Sequence, residues 1–269
     1  MCLEKMSKRT KALFFDIDGT LLSEKTGEIP ESAREALREA RNRGHLVFIN
    51  SGRVYGHLED IRRKVEADGY LCGCGTYIVV EGKVIYCHRI PRERGIQIKK
   101  DIDECGLDGV LEAIEGCYIH RTTSKISKVE ALKNAIRKSG DTQVYDWEDD
   151  NYDFDKLYLG SDERSRCEEL FRRLEDFEII GRGDGFYECV PVGHSKATAM
   201  ELVLNHYGIS LDDTYVFGDS SNDLEMFKYA TNCVLMGHHA AVLEPYATFE
   251  TKEVEEDGIA YAMKELGII

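Results

Sequence analysis

Two apolar runs some two hundred residues apart both stop at carboxylates, and nothing else in the chain constrains its fold so tightly. Ala12-Leu13-Phe14-Phe15 leads into Asp16-Ile17-Asp18-Gly19-Thr20, and Val216-Phe217 leads into Gly218-Asp219-Ser220-Ser221-Asn222-Asp223. Short apolar runs bounded by glycine turns read as buried strands. On a strand, residues two apart face the same way, so Asp16 and Asp18 share a side. Two carboxylates 4 Å apart repel by about 4 kcal/mol at an effective dielectric near 20. Either a cation sits beside them or one holds a proton. Alone, the first segment also fits a polar strand end with a capping aspartate, so the rest of the chain decides.

That remainder alternates. Glu31–Asn42 carries Ala33, Leu37 and Ala40 at helical spacing and ends before Gly44. Leu46–Asn50 is a second apolar strand, and Leu58–Ala67 reads as a helix. Tyr77–Val80 and Val84–Cys87 read as a hairpin across Glu81-Gly82-Lys83. Strands alternating with helices predict an α/β fold built on a parallel sheet. From about Pro91 charge rises and the texture becomes α+β. Helices are expected at Glu93–Glu104, Lys128–Lys138 and Asp162–Asp176. Strands are expected at Cys117–Arg121, Lys156–Leu159, Phe177–Ile180 and Phe186–Val190. After Pro191 the first texture returns. It brings a helix at Ser195–Tyr207 capped by Ser195, a strand at Thr214–Phe217, and a helix continuing through Leu224–Tyr229. A strand at Cys233–Met236 and a closing helix at Glu255–Leu266 follow. Residues 1–88 and 190–269 thus form one discontinuous domain, and 89–189 an inserted one.

Charge narrows the partners. Lys and Arg total 35 against 50 Asp and Glu, for a net charge of −15. A field of that sign repels polyanions, which argues against nucleic acid. A small phosphate ester still binds where Lys, Arg or metal reverses the sign locally. The nine cysteines are scattered and odd in number, as expected of reduced thiols in a cytoplasmic protein. Cys72, Cys74, Cys87 and His88 fit no zinc spacing. The apolar run after the basic start is too short for a signal peptide, and no segment approaches a membrane span.

Three further segments carry chemistry. Ser51-Gly52-Arg53 puts a hydroxyl and a freed N–H just after a strand, which makes an anion cradle; a plain Ser/Gly turn has the same composition. Lys196 begins a helix, where the dipole disfavours a cation by about 0.3–1 kcal/mol. That placement gains a reason if the lysine faces phosphate and carboxylates, though an exposed surface lysine fits too. Asp223 falls in the first turn of a helix and suits a cap, but Asp219 has no such role. Together Asp16, Asp18, Asp219 and Asp223 call for a divalent cation, and hard oxygen ligands suit Mg²⁺.

In that order, Asp16-Ile17-Asp18-Gly19-Thr20, Ser51-Gly52-Arg53, Lys196 and Gly218-Asp219-Ser220-Ser221-Asn222-Asp223 resemble the four motifs of the haloacid-dehalogenase-like phosphohydrolases. The long insert and the tail, through Glu256-Asp257-Gly258-Ile259-Ala260, resemble the Cof-type group with its large α/β cap. The resemblance implies a doubly wound, Rossmann-like core and an inserted cap. It implies that Asp16 attacks phosphorus to form an aspartyl-phosphate while Asp18 serves as acid, then base. Ser51, Gly52, Lys196 and Asn222 would hold the phosphoryl group. Mg²⁺ would be bound by Asp16, Asp18 through its carbonyl, and Asp219, with Asp223 supporting the shell. Two positions depart from the pattern: Cys74-Gly75 stands where Asn-Gly is common, and Ala197 follows the lysine where glycine is usual.

The expected substrate is a small phosphorylated metabolite, a sugar phosphate or phosphorylated cofactor. Arg53, His120 and Trp147 are the candidates for reading its leaving group. Against that, His120 also reads as an ordinary strand residue. Trp147 lies in the acidic stretch Tyr145–Tyr152, which reads equally as a solvated loop packed by its own aromatics. A phosphosugar mutase and a non-enzymatic phospho-accepting module are the alternative functions; Asp18, an acid/base beside the nucleophile, argues against the second.

Overall fold

A computed structural model describes residues 9–139, 143–150 and 153–269. Asn151 and Tyr152 of the acidic stretch, and most of the basic start, lie outside the described residues. No helix among the described residues is long and apolar enough to cross a membrane. The chain divides into two compact units. One comprises the chain up to Asn50, Lys64–Gly69 and Met200–Ile269; the other comprises Ser51–Arg63 and Tyr70–Ala199.

The first unit is built on parallel strands. Phe249–Glu250, Asn232–Leu235, Thr214–Gly218, Ala12–Phe15 and Leu46–Asn50 lie side by side in that order. Every residue of Ala12–Phe15 is buried, as expected of a strand covered on both faces. Phe14 stacks on Phe48 and Phe15 on Phe217, with ring centroids 4.9 and 4.4 Å apart. The helix Glu31–Asn42 forms as its spacing predicts. It buries Ala33, Ala36, Leu37 and Ala40, with Glu31 in its first turn and Arg41 in its last, each favourable to the helix dipole. It packs against the helix Gly258–Glu265.

The second unit contains the hairpin Tyr77–Val80 and Lys83–Cys87 and a six-stranded sheet. The sheet runs in the order Phe177–Gly183, Phe186–Pro191, Lys156–Gly160, Asp108–Ala113, Gly116–Ile119 and Gln143–Asp146. One face carries Leu111, Leu157, Leu159 and Cys189 against Ile98, Ile102, Leu170 and Leu174. The other face carries Val110, Cys117 and Ile119 against Leu132 and Ile136 of the helix Ser127–Ser139.

Several elements differ from expectation for identifiable reasons. The helix expected at Asp162–Asp176 spans only Cys167–Arg173. Before it, the Asp162 carboxylate accepts the Arg164 N–H at 2.9 Å and the Ser165 hydroxyl accepts the Asp162 N–H at 3.0 Å. Such local bonds compete with helix. The helix expected at Leu58–Ala67 is a 3₁₀ turn at Tyr55–Leu58 followed by Glu59–Lys64. The closing helix starts at Gly258, after a turn at Val254–Glu256 and Asp257 at φ 61°. The strands Gly69–Cys72, Asp108–Ala113 and Gln143–Asp146 were not expected; in the second of them Gly109 and the acids at 108 and 112 break the apolar pattern.

Asp155 is 1% exposed, and neither of its carboxylate oxygens has a hydrogen-bond partner. Burial, opposed by Arg89 and aided by Glu115 and Glu112, raises its pKa from 3.8 to about 7. The folded state therefore keeps a proton that the unfolded chain releases near pH 4. The carboxyl's contribution is most favourable below that pH and is lost as pH rises through 7. Asp155→Asn should accordingly gain on the wild type by about 2 kcal/mol more at pH 8.5 than at pH 5.5. Urea melts at the two pH values measure this, and an equal offset at both would show that Asp155 does not titrate there.

Candidate active site

Parallel strands place their C-terminal ends on one edge, and two of the acids sit there in the first unit. Asp16 follows Ala12–Phe15 and extends the ladder by donating its N–H to the Phe217 carbonyl at 3.0 Å. Asp219 follows Thr214–Gly218, and its carbonyl accepts the Ala240 N–H at 2.7 Å. Asp223 lies one turn further on. One carboxylate oxygen from each of Asp16, Asp219 and Asp223 falls within 4.8 Å of the others. Asp16 and Asp223 are 4% and 0% exposed, and Asp219 is half-buried.

The surroundings fix these carboxylates in different ways. Asp223 Oδ2 accepts the N–H groups of Asp219 and Ser220, each at 3.0 Å. It thus caps the turn that begins the next helix and holds the chain beside Asp219. Thr20 donates its hydroxyl to Asp219 Oδ1 at 2.7 Å. Gly19, at φ +80°, lies so close that a Cβ there would collide with the Asp219 carboxylate. Thr20 and Gly19 are thus supports of the acid cluster that residue spacing does not reveal, since their partner is some two hundred residues away. Asp18 is half-buried and bridges to Leu22. Asn222 is half-buried, and its Oδ1 accepts the Ser220 hydroxyl at 2.8 Å.

Three carboxylates this close repel one another by several kcal/mol in a medium of low dielectric. Two N–H donors and one hydroxyl engage part of the set. This all-oxygen donor set fits a small hard divalent cation. Among the described residues it is the one group of three or more potential metal ligands so closely spaced.

In the second unit, Ser51 is 1% exposed and its hydroxyl accepts the Arg53 N–H at 3.1 Å. The turn Gly73-Cys74-Gly75 wraps the same segment. Gly73 N–H reaches the Arg53 carbonyl at 2.9 Å, and Cys74 N–H the Ser51 carbonyl at 3.1 Å. Lys196 is 1% exposed at the start of the helix Lys196–Tyr207, so it is no exposed surface lysine. Ser195 caps that helix as expected. Its hydroxyl accepts the Thr198 N–H at 3.1 Å, while the Thr198 hydroxyl accepts the Ser195 N–H at 2.9 Å. An ammonium buried at a helix N-terminus is retained only among anionic or polar partners.

His120 and Trp147 have another setting. Trp147 is 2% exposed and packs in the hydrophobic core of the second unit, which corrects the expectation of a ring in a solvated loop or free to stack on a ligand. The ring of His120 stacks on it at 4.3 Å. Burial lowers the His120 pKa, but Asp103 and Glu148, at 3.3 and 2.9 Å, outweigh this and raise it. Arg53 is half-buried beside Ser51.

A profile of the haloacid dehalogenase-like hydrolases matches residues 13–263. A Bacillus subtilis (strain 168) protein, YkrA, which carries a provisional phosphatase name, is 32% identical over 260 residues, covering 97% of this chain and 99% of that one. A hypothetical protein from Geobacillus kaustophilus HTA426 superposes with a TM-score of 0.84 at 30% identity, covering 97% of this chain and 100% of that one. The HAD subclass IIB sugar phosphatase BT4131 superposes with a TM-score of 0.79 at 29% identity over the same shares.

The collision at Gly19 has a measurable consequence. Gly19→Ala combines a left-handed backbone with a displaced Asp219 and should lower stability by about 1–3 kcal/mol. Thermal melts measure this, and an unchanged melting temperature would show that the turn yields freely.

Proposed function

Because the chain belongs to the haloacid dehalogenase-like hydrolases and is an enzyme of their phosphatase type, we propose that it hydrolyses phosphate monoesters of small metabolites through an aspartyl-phosphate on Asp16, with Mg²⁺ as cofactor. The observation that carries this reading is the convergence of Asp16 and Asp219, at the ends of parallel strands, with Asp223 one turn further on. YcsE of B. subtilis, 24% identical over 271 residues, is named a 5-amino-6-(5-phospho-D-ribitylamino)uracil phosphatase. Together with the sugar phosphatase BT4131, it supports phosphorylated small molecules as the substrate class.

In the proposed reaction an Asp16 oxygen attacks phosphorus and the bond to the ester oxygen breaks. Asp18 gives its proton to the departing alcohol. Asp18 then takes a proton from water, whose oxygen attacks the same phosphorus and releases phosphate and Asp16. Asp16, Asp219, Asp223 and the Asp18 carbonyl are assigned to hold the cation. Bound there, it neutralises the carboxylates and the charge of the transferring phosphoryl group. Ser51, the Gly52 N–H, Lys196 and Asn222 are assigned to the phosphoryl oxygens. Residues 89–189 are assigned the role of the inserted cap, and 1–88 with 190–269 that of the catalytic core.

Asp16→Asn should abolish phosphate release from every phosphorylated metabolite that the wild type accepts while the melting temperature holds; retained turnover would remove Asp16 as nucleophile. Chelation should silence the enzyme and added Mg²⁺ restore it. Full activity in excess chelator, read as free phosphate, would contradict the assignment of the aspartate cluster.

A further inference from the structure

Within the second unit, the loop that leads into Lys196, residues 191–195, is gripped from two sides. On one side, Gly75, at φ +95°, packs so closely on the Ser195 carbonyl that a Cβ there would lie 2.5 Å from it and 3.4 Å from the Ala199 Cβ. That carbonyl accepts the Ala199 N–H at 3.2 Å. It therefore belongs to the first turn of the helix that carries Lys196. A backbone oxygen engaged in a helix does not swing aside as the end of a side chain does. Glycine is thus required at position 75 both for its φ and for its size.

On the other side stands His194. Its Nδ1 lies 3.2 Å from the Pro191 carbonyl and its Nε2 2.8 Å from the Tyr86 hydroxyl. A carbonyl only accepts, so Nδ1 carries the proton and Nε2 accepts from Tyr86. The His194 ring also packs on those of His88 and Tyr86, with centroids 4.4 and 5.8 Å apart. Tyr86 lies on the strand Lys83–Cys87, and the His88 N–H reaches the Thr76 carbonyl at 2.7 Å. The Thr76 hydroxyl in turn donates to the Gly73 carbonyl at 3.1 Å. Both grips therefore end on the turn Gly73-Cys74-Gly75, whose Cys74 N–H holds the Ser51 carbonyl.

Cys74 itself stands at φ 54°, a conformation that costs a residue with a Cβ about 1–3 kcal/mol and persists only where the surroundings over-determine it. Burial and Glu188 push the Cys74 thiol up, and Lys156 and Lys196 oppose them. The Lys196 ammonium thus lies within electrostatic reach of the turn that holds Ser51. A lysine is a point charge on a flexible stem, so its backbone and the walls around the stem decide where the charge stands. A misplacement of about 1 Å costs on the order of 10² in rate. Resting on the assignment of Lys196 and Ser51 to the phosphoryl oxygens, we propose that Gly75 and His194 are positioning residues that lock Lys196 to Ser51 through one turn, so that the two grip a phosphoryl group as a unit.

The test follows turnover of p-nitrophenyl phosphate, its inhibition by inorganic phosphate and the Mg²⁺ concentration for half-maximal rate. It compares the wild type with Gly75→Ala, Gly82→Ala, Tyr86→Phe and Lys196→Gln, with melting curves for each. Gly82 has φ +74° and nothing within 4 Å of an added Cβ, so Gly82→Ala carries backbone strain without a collision. Gly75→Ala should raise the Ki of phosphate by about tenfold or more. Tyr86→Phe should raise it by about threefold or more. Gly82→Ala should leave it unchanged, and the Mg²⁺ requirement should stay put in all three. A folded Gly75→Ala with the wild-type Ki overturns the proposal. So does an equal weakening in Gly82→Ala, which marks strain alone, or a Mg²⁺ requirement that rises in step with Ki, which marks general loss of the site. If Gly75→Ala does not fold, Tyr86→Phe decides, and a wild-type Ki there overturns the proposal. A raised Ki in Lys196→Gln beside an unchanged one in the positioning variants sinks this inference alone. An unchanged Ki in Lys196→Gln sinks the assignment of Lys196, and no release from any phosphate ester sinks the activity; either takes this inference with it.

Discussion

Mutual repulsion among Asp16, Asp219 and Asp223 is the constraint around which the first unit is organised. Carboxylates do not gather of their own accord, so the fold must hold them. It does so with the stiffest element available, buried parallel strands whose register is set by phenylalanine stacking at residues 14, 15, 48 and 217. Backbone hydrogen bonds at Asp16 and Asp219 carry that stiffness to the strand ends. The apolar core thus does mechanical work for a polar edge, holding like charges close together.

Smaller contacts then divide the acids into roles. Asp223 spends one oxygen on two N–H groups and so belongs as much to the backbone as to the cluster. Asp219 is steered by the Thr20 hydroxyl and by the absence of a side chain at Gly19. Preorganisation of this kind matters for phosphoryl transfer, in which catalysis rests on positioning and charge neutralisation. In the second unit the same economy recurs with opposite charges. Lys156 stands between Glu112 and Glu188 on a sheet whose other face is apolar. Asp155 beside them, buried without a hydrogen-bond partner, is a stability cost borne at neutral pH.

Elements whose apolar pattern is local and unbroken were legible. Ala12–Phe15, Leu46–Asn50, Tyr77–Val80, Glu31–Asn42 and Leu224–Tyr229 fall where their spacing places them. The elements that escaped are those whose pattern is interrupted for a tertiary reason. Asp108–Ala113 hides behind Glu112, a charge inside a sheet that is tolerable only because Lys156 faces it. Trp147 sits in an acidic stretch and reads as surface, yet the fold turns its ring into the core and sets His120 upon it. Helix was over-assigned at 162–176 because Asp162 and Ser165 satisfy the backbone locally, a competition that apolar spacing does not register.

By itself the chain determined that carboxylates would stand at strand ends, that Ser195 would cap a helix, and that the α/β texture would be interrupted by an α+β segment. These follow from residue order and short-range geometry. Tertiary structure alone decided which acids meet, which hydroxyl steers Asp219, and that Lys156 is shared by acids 44 residues before and 32 residues after it. Strand register sets those meetings, and register depends on how whole faces pack, since a slip of one residue would turn every one of these side chains to the opposite face.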